Sequence, residues 1–153
     1  MLRRRRTRLV VVRNFEDVKI NIDGTHNLLE ASAKNGVKTF IFSSSSAVYG
    51  NKNDACYEND PLFPESPYAI SKQAGERSCS QYAHDHGLNA ASLRYFNVYG
   101  ERQNPLGHYA AVVAKFKKQL LEKQPLVIFG DGTQTRDFVH VSKVVEANLT
   151  LAT

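Results

Sequence analysis

Apolar positions recur along this chain at two different periods, and the places where the period changes mark its elements. In "EDVKINIDGTHNLLEASAKNG" (16–36) the apolar residues are Val18, Ile20, Ile22, Leu28, Leu29 and Ala33. The later ones fall at helical spacing and Gly36 is a natural stop, so a helix is expected there. "VKTFIFSS" (37–44) is a short, nearly continuous apolar run, the pattern of a strand covered on both faces. A loop of about twenty residues follows, rich in Gly, Asn, Asp and Pro, and loops of that length in a compact domain are often functional. Ser66 and Pro67 then form a cap and a first helical position, opening a helix that runs to about His86 and stops at Gly87. "LNAASLRYFNVYG" (88–100) reads as a second strand leading into a loop. "YAAVVAKFKKQLLEKQ" (109–124) reads as a helix with Val112, Val113, Phe116, Leu120 and Leu121 on its apolar face. A short strand and turn over 125–132, an extended piece over 136–141, and a serine-capped helix over 142–153 complete the pattern.

Helix, strand, helix and strand in alternation predict an α/β fold on a parallel sheet. The pattern opens on a helix and closes within one, so the chain reads as the middle of a longer fold.

Charge changes this picture little. The chain of 153 residues has the length of one domain, and its formal charge is +5. Arg3, Arg4, Arg5, Arg6 and Arg8 account for the whole excess of 20 basic over 15 acidic side chains, so the body is neutral and only a short start is basic. Residues 1–13 are therefore read as a basic tail, disordered or outside the domain pattern, and 14–153 as the domain. A tail of this kind can touch RNA or anionic lipid but is more often a solvated end, so with a neutral body no nucleic-acid partner is expected. No membrane association is expected either, since no apolar run is long enough to span a bilayer and "LVVV" is too short for a signal-peptide core. Two cysteines, Cys56 and Cys79, form no metal spacing or disulfide framework, which suits a cytoplasmic protein.

The candidate chemistry lies in "SPYAISKQAGE" (66–76). Tyr68 and Lys72 stand four residues apart, a rotation of about 400° that puts both on one helix face. An ammonium near a phenol favours the phenolate, and a phenol so tuned can move protons. "FSSSSAVYG" (42–50) leaves the end of the first strand, the edge where open α/β sheets bind ligands, and its hydroxyls can serve a substrate oxygen or simply close a turn.

Five motifs in order, "NIDGTHNLLEA" (21–31), "FSSSSAVYG" (42–50), "SPYAISKQAGE" (66–76), "LRYFNVYGERQNP" (93–105) and "FGDGTQTRDFVHV" (129–141), closely resemble the extended short-chain dehydrogenase/reductase family, specifically its nucleotide-sugar epimerases and dehydratases. The resemblance covers residues 16 to 153. It implies a partial, Rossmann-type, doubly wound parallel sheet with the start of a small substrate-binding part. The glycine-rich G-x-G-x-x-G turn that the family uses for NAD is not in this sequence. The resemblance further implies NAD as cofactor, a nucleotide sugar as substrate, and a homodimer for the full-length enzyme.

Carried over residue by residue, the resemblance makes Tyr68 the catalytic base, with Lys72 holding the cofactor ribose and lowering the tyrosine pKa. Ser45 is the hydroxyl that bonds the sugar oxygen. Asn21 and Phe96 match cofactor contacts. Asn97 and Arg136 match contacts to the substrate diphosphate, and Phe129 lies where the strand backbone meets the nucleotide base. Each has a plainer reading: Phe96 as core, Arg136 as a partner of Asp131 or Asp137, Asn21 as a cap or turn. In the family's dehydratases an Asp-Glu pair follows the catalytic hydroxyl, and in its decarboxylases a glutamate stands at the second of those positions. Here the positions are Ser46 and Ala47. The resemblance therefore points first to 4-epimerisation of a UDP-hexose. Another reaction of the same family, and a non-catalytic remnant, stay open.

Overall fold

The structure, a computed structural model, describes residues 6–52, 54–106, 111–128 and 130–153, with side chains described for Glu16 and from Val18 onward. Its elements run α1 (Arg6–Lys34), β1 (Thr39–Ser45), a 3-10 turn (Ser46–Tyr49), α2 (Pro67–His86), β2 (Asn89–Tyr95), β3 (Asn97–Tyr99), α3 (Val112–Leu121), β4 (Phe138–His140) and α4 (Val141–Ala152). The chain divides into two compact units, residues 1–94 with 151–153, and residues 95–150.

In the first unit β1 pairs with β2, and α2 connects them in strand–helix–strand order. Leu29 of α1, Phe42 of β1, Cys79 of α2 and Leu88 form the buried cluster, with Phe40, Tyr82 and Ala90 packed against it. The contact of α2 with β1 depends on Gly75. A Cβ there would stand 2.3 Å from the Phe42 ring, so only glycine lets the helix lie this close. The ends of α2 are those its sequence predicts. The Ser66 hydroxyl accepts from the Ala69 N–H at 3.1 Å, Pro67 opens the helix, and Gly87 takes the left-handed conformation at its end.

In the second unit β3 and β4 pair in parallel, with Asn97 opposite Phe138 and Tyr99 opposite His140. Ala114 of α3 is its buried hydrophobic residue among those described.

Several boundaries differ from the sequence reading. The first helix begins at Arg6, inside the stretch read as a tail; Met1 to Arg5 lie outside the described residues. Of its apolar positions Leu29 is fully buried, whereas Ile20 and Leu28 are exposed. Where a strand leading into a loop was expected over 88–100, two strands form, β2 and β3, in different sheets, with Phe96 at the break. No strand forms over 125–128, where every residue is exposed and no described strand pairs with it. Ser142 does not cap α4. The helix starts one residue earlier, and the Ser142 hydroxyl lies 2.8 Å from His140 Nδ1. Among the described residues no helix is long and apolar enough to cross a membrane.

Candidate active site

The first unit gathers Asn21, Ser45, Tyr68 and Lys72 around the end of β1 and the start of α2. The helical rotation puts Tyr68, Lys72 and Glu76 on one face of α2, each one turn beyond the last. Lys72 Nζ reaches the β1 backbone and donates to Ser43 O at 2.9 Å. It lies 5.1 Å from the Phe42 ring centroid and 5.7 Å from that of Tyr68. Burial in this berth pushes the Lys72 amine below the ordinary lysine range.

Tyr68 is 47% exposed, and its hydroxyl has no hydrogen bond within the protein among the described residues. A phenol presented this way is available to an incoming ligand. Its position is held from the backbone side. The Ser71 hydroxyl donates to Tyr68 O at 2.7 Å, and Asn21 Nδ2 donates to Ser71 Oγ at 3.2 Å. Asn21, on α1, thus braces the first turn of α2. This contact is neither of the plain readings the sequence offered for it.

Ser45 ends β1, two residues beyond the carbonyl that anchors Lys72. Its hydroxyl accepts from Ala47 N at 3.2 Å and caps the 3-10 turn. That bond uses a lone pair and leaves the O–H free to donate. Along β1 the side chains alternate, so Ser44 turns inward and is buried while its neighbours are not.

In the second unit Asn97 opens β3. Its Nδ2 donates to Asp137 O at 2.8 Å, and its backbone N–H donates to the same oxygen at 3.1 Å. This brings Asn97 beside the Arg136 segment. Arg136 is exposed and donates from Nη1 to Thr135 O at 2.7 Å. Among the described residues it forms no ion pair with Asp131 or Asp137, and Asp131 instead accepts from Thr133. Phe96, which separates β2 from β3 in the sequence, is half-buried. Phe129 lies outside the described residues.

In the first unit the sequence reading missed an ionic network on the α2 face that carries Tyr68 and Lys72. Glu76 is 8% exposed and pairs with Arg94 on β2, Nη2 to Oε2 at 2.8 Å and Nε to Oε1 at 2.9 Å. The Ser44 hydroxyl donates to Glu76 Oε1. Arg94 Nη1 donates to Tyr49 Oη and to Glu58 O, both at 3.0 Å. The carboxylate beside it holds the Arg94 guanidinium above the ordinary arginine range. Two signals could have found the pair: a glutamate one turn beyond Lys72, and an arginine inside a strand that is otherwise mostly apolar, which requires an acid nearby.

Known proteins resemble this chain in both sequence and fold. The sequence pattern of the NAD dependent epimerase/dehydratase family matches residues 10–153. A Methanocaldococcus jannaschii protein provisionally named a UDP-glucose 4-epimerase is 47% identical over 135 residues, 87% of this chain and 44% of its own length. The UDP-N-acetylglucosamine 4-epimerase of Methanobrevibacter ruminantium, solved with UDP-N-acetylmuramic acid, superposes with a TM-score of 0.88 at 41% identity, covering 93% of this chain and 46% of that one. The UDP-glucose 4-epimerase of Thermus thermophilus, solved with NAD, gives 0.79 at 42% identity, covering 88% and 46%. Matches also include a UDP-N-acetyl-alpha-D-glucosaminuronate decarboxylase of Bacillus cytotoxicus at 40% identity and a dTDP-D-glucose 4,6-dehydratase of Mus musculus at 38%. The chain spans less than half the length of these relatives.

Proposed function

The chain belongs to the NAD dependent epimerase/dehydratase family, and on that premise we propose that it carries the proton-transfer centre of a nucleotide-sugar 4-epimerase acting on a UDP-hexose. The observation that carries this reading is the α2 face on which Tyr68 stands exposed above Lys72, with Lys72 anchored to β1 two residues before Ser45.

The donor set fits the ribose end of a nicotinamide cofactor. Lys72 uses one N–H on Ser43 O and keeps two, and Tyr68 offers a phenol beside it. These 153 residues contain no glycine-rich G-x-G-x-x-G turn, so the ribose end is the part of the cofactor they match. NAD, when bound, supplies removal of a hydride from the sugar carbon and its return to the opposite face.

The rest is the protein's own chemistry. The Tyr68 oxygen takes the proton of the sugar 4-hydroxyl and later gives it back. Ser45 donates its free O–H to the same sugar oxygen and holds it within reach. Lys72 fixes the ribose and places positive charge beside the phenolate. Asn97 and Arg136 bind the diphosphate, where the guanidinium offers a bidentate fork.

The choice of 4-epimerisation over its sister reactions rests on the residues after Ser45. Ser46 and Ala47 form the first turn of the 3-10 segment, and the Ala47 backbone N–H is engaged by Ser45 Oγ. Neither supplies the extra acid and base that water elimination needs, nor the glutamate of the decarboxylases.

The test uses the purified chain. NADH titration by fluorescence, with and without UDP-glucose, is expected to show saturable micromolar binding, and UDP-hexose interconversion is expected to follow. Tyr68→Phe is expected to lower turnover by orders of magnitude with substrate binding retained. Equal turnover of the two proteins would remove Tyr68 from the mechanism, and absence of NADH binding by a folded sample would overturn the enzymatic reading for this chain.

A further inference from the structure

We propose that the Glu76–Arg94 pair is a positioning device that sets the register of α2 on β1, and through it where Lys72 and Tyr68 stand against the serine end of the strand. The proposal rests on the functional reading above for what Tyr68 and Lys72 do, but not for where they are held.

The contact between α2 and β1 is smooth where it is closest. Gly75 presents no side chain to the Phe42 ring, so no knob there resists sliding of the helix. Apolar contact is non-directional and tolerates displacement. One turn of slippage would move every α2 side chain by about 5.4 Å, well beyond hydrogen-bond reach.

Glu76, the next residue, supplies the missing direction. Both its oxygens are engaged: Oε1 accepts from Ser44 and from Arg94 Nε, and Oε2 accepts from Arg94 Nη2. The fork-to-fork geometry of a guanidinium on a carboxylate fixes orientation as well as distance. Ser44 ties the carboxylate to β1 between Ser43, which anchors Lys72, and Ser45. Arg94 ties it to β2 and, through Tyr49 and Glu58, to the 3-10 turn and the loop beyond it. Tyr68, Lys72 and Glu76 share one face of a single rigid helix. A bond that fixes Glu76 against Ser44 therefore fixes Lys72 against Ser43.

The berth of Lys72 reports on this register without any catalytic assay. Its amine is held low by burial, so a helix that slips or loosens returns it toward water and raises its titration midpoint. Direct electrostatics has the opposite sign. Removing the Glu76 carboxylate and leaving Arg94 unpaired adds positive potential, which would lower the midpoint. Ser44→Ala removes the strand-side bond and changes no charge.

The experiment is a lysine 13Cε NMR titration of the full chain, with the Lys72 signal assigned by its loss in Lys72→Arg. Ser44→Ala and Glu76→Gln are expected to raise the Lys72 midpoint above that of the parent. Glu30→Gln, which breaks the exposed Glu30–Lys34 pair, is expected to leave it unchanged. An unchanged or lowered midpoint in folded Ser44→Ala overturns the proposal, and that variant alone decides if Glu76→Gln does not fold. The titration does not depend on turnover. If Tyr68→Phe turned over as fast as the parent, the functional reading would fail while the register of α2 was still being measured.

Discussion

At the scale of single residues, Lys72 is where stability and the proposed function oppose each other. Its amine is partly buried, and burial disfavours the charged form. Its folded pKa lies below the unfolded one, so the unfolded chain binds more protons between the two values. Stability therefore rises with pH through that window and levels off at the ordinary lysine value. Below the window the charged amine opposes folding. Lys72→Met fills the same space without a charge, and its thermal midpoint at neutral pH is expected to equal or exceed that of the parent, with NADH binding lost. The advantage of the variant is expected to shrink as pH rises into the alkaline range, and differential scanning calorimetry across pH would show it. An advantage that grew with pH would contradict the burial account. Tyr68 and Lys72 were legible because four-residue spacing states a shared helix face outright. Glu76 and Arg94 each left a local signal, but their pairing was not legible, because 18 residues separate them and their contact exists only once α2 has crossed back to β2. Asn21 was singled out by the resemblance as a cofactor contact, whereas its partner in the structure, Ser71, is 50 residues away and no local signal declares it.

At the scale of elements, the sequence announced what is closed by local chemistry and missed what depends on a distant partner. The ends of α2 were readable because the serine cap, the proline and the glycine act within one turn. β1 was readable from its apolar run. The stretch 125–128 looks equally strand-like, yet it is irregular, since a strand needs a neighbour to take its backbone bonds. The break at Phe96 has the same origin: β2 and β3 pair with different strands, which no local signal declares. The fit of α2 to β1 gives a sharp test. Gly75→Ala raises helix propensity, which in an exposed helix would stabilise by up to about 1 kcal/mol. Here the new methyl meets the Phe42 ring, and overpacking of this kind costs about 1–3 kcal/mol. The clash should win, with a lower urea midpoint for Gly75→Ala and recovery on adding Phe42→Leu. A Gly75→Ala chain more stable than the parent would show that propensity outweighs packing at this contact.

At the scale of the whole chain, the two units differ in how much they bury. Leu29, Phe42, Val48, Tyr49, Ala69, Cys79 and Leu88 are buried in the first, whereas Ala114 is the buried hydrophobic residue of the second among those described. Side chains of α4 such as Val145 and Leu149 are exposed, and no residue of that helix is buried. Local opening free energy follows buried apolar contact, so the units should not open together. The resemblance implied a sheet and the start of a substrate-binding part but not how unequally they bury, because each motif reports its own element and none reports how much surface its element covers. The consequence reaches the proposed chemistry, which is split between the units: Ser45, Tyr68 and Lys72 stand in the first, and Asn97 and Arg136 in the second. In hydrogen–deuterium exchange of the free chain, amides of β1, α2 and β2 are expected to be protected well beyond those of β3, β4 and α4. Addition of a UDP-hexose should slow exchange chiefly in the second unit, because a ligand gripped through its diphosphate stabilises the part that opens most easily. Uniform protection of both units in the free chain would mean that burial within each does not set its stability. Protection by UDP-hexose confined to the first unit would remove Asn97 and Arg136 from the binding role proposed for them.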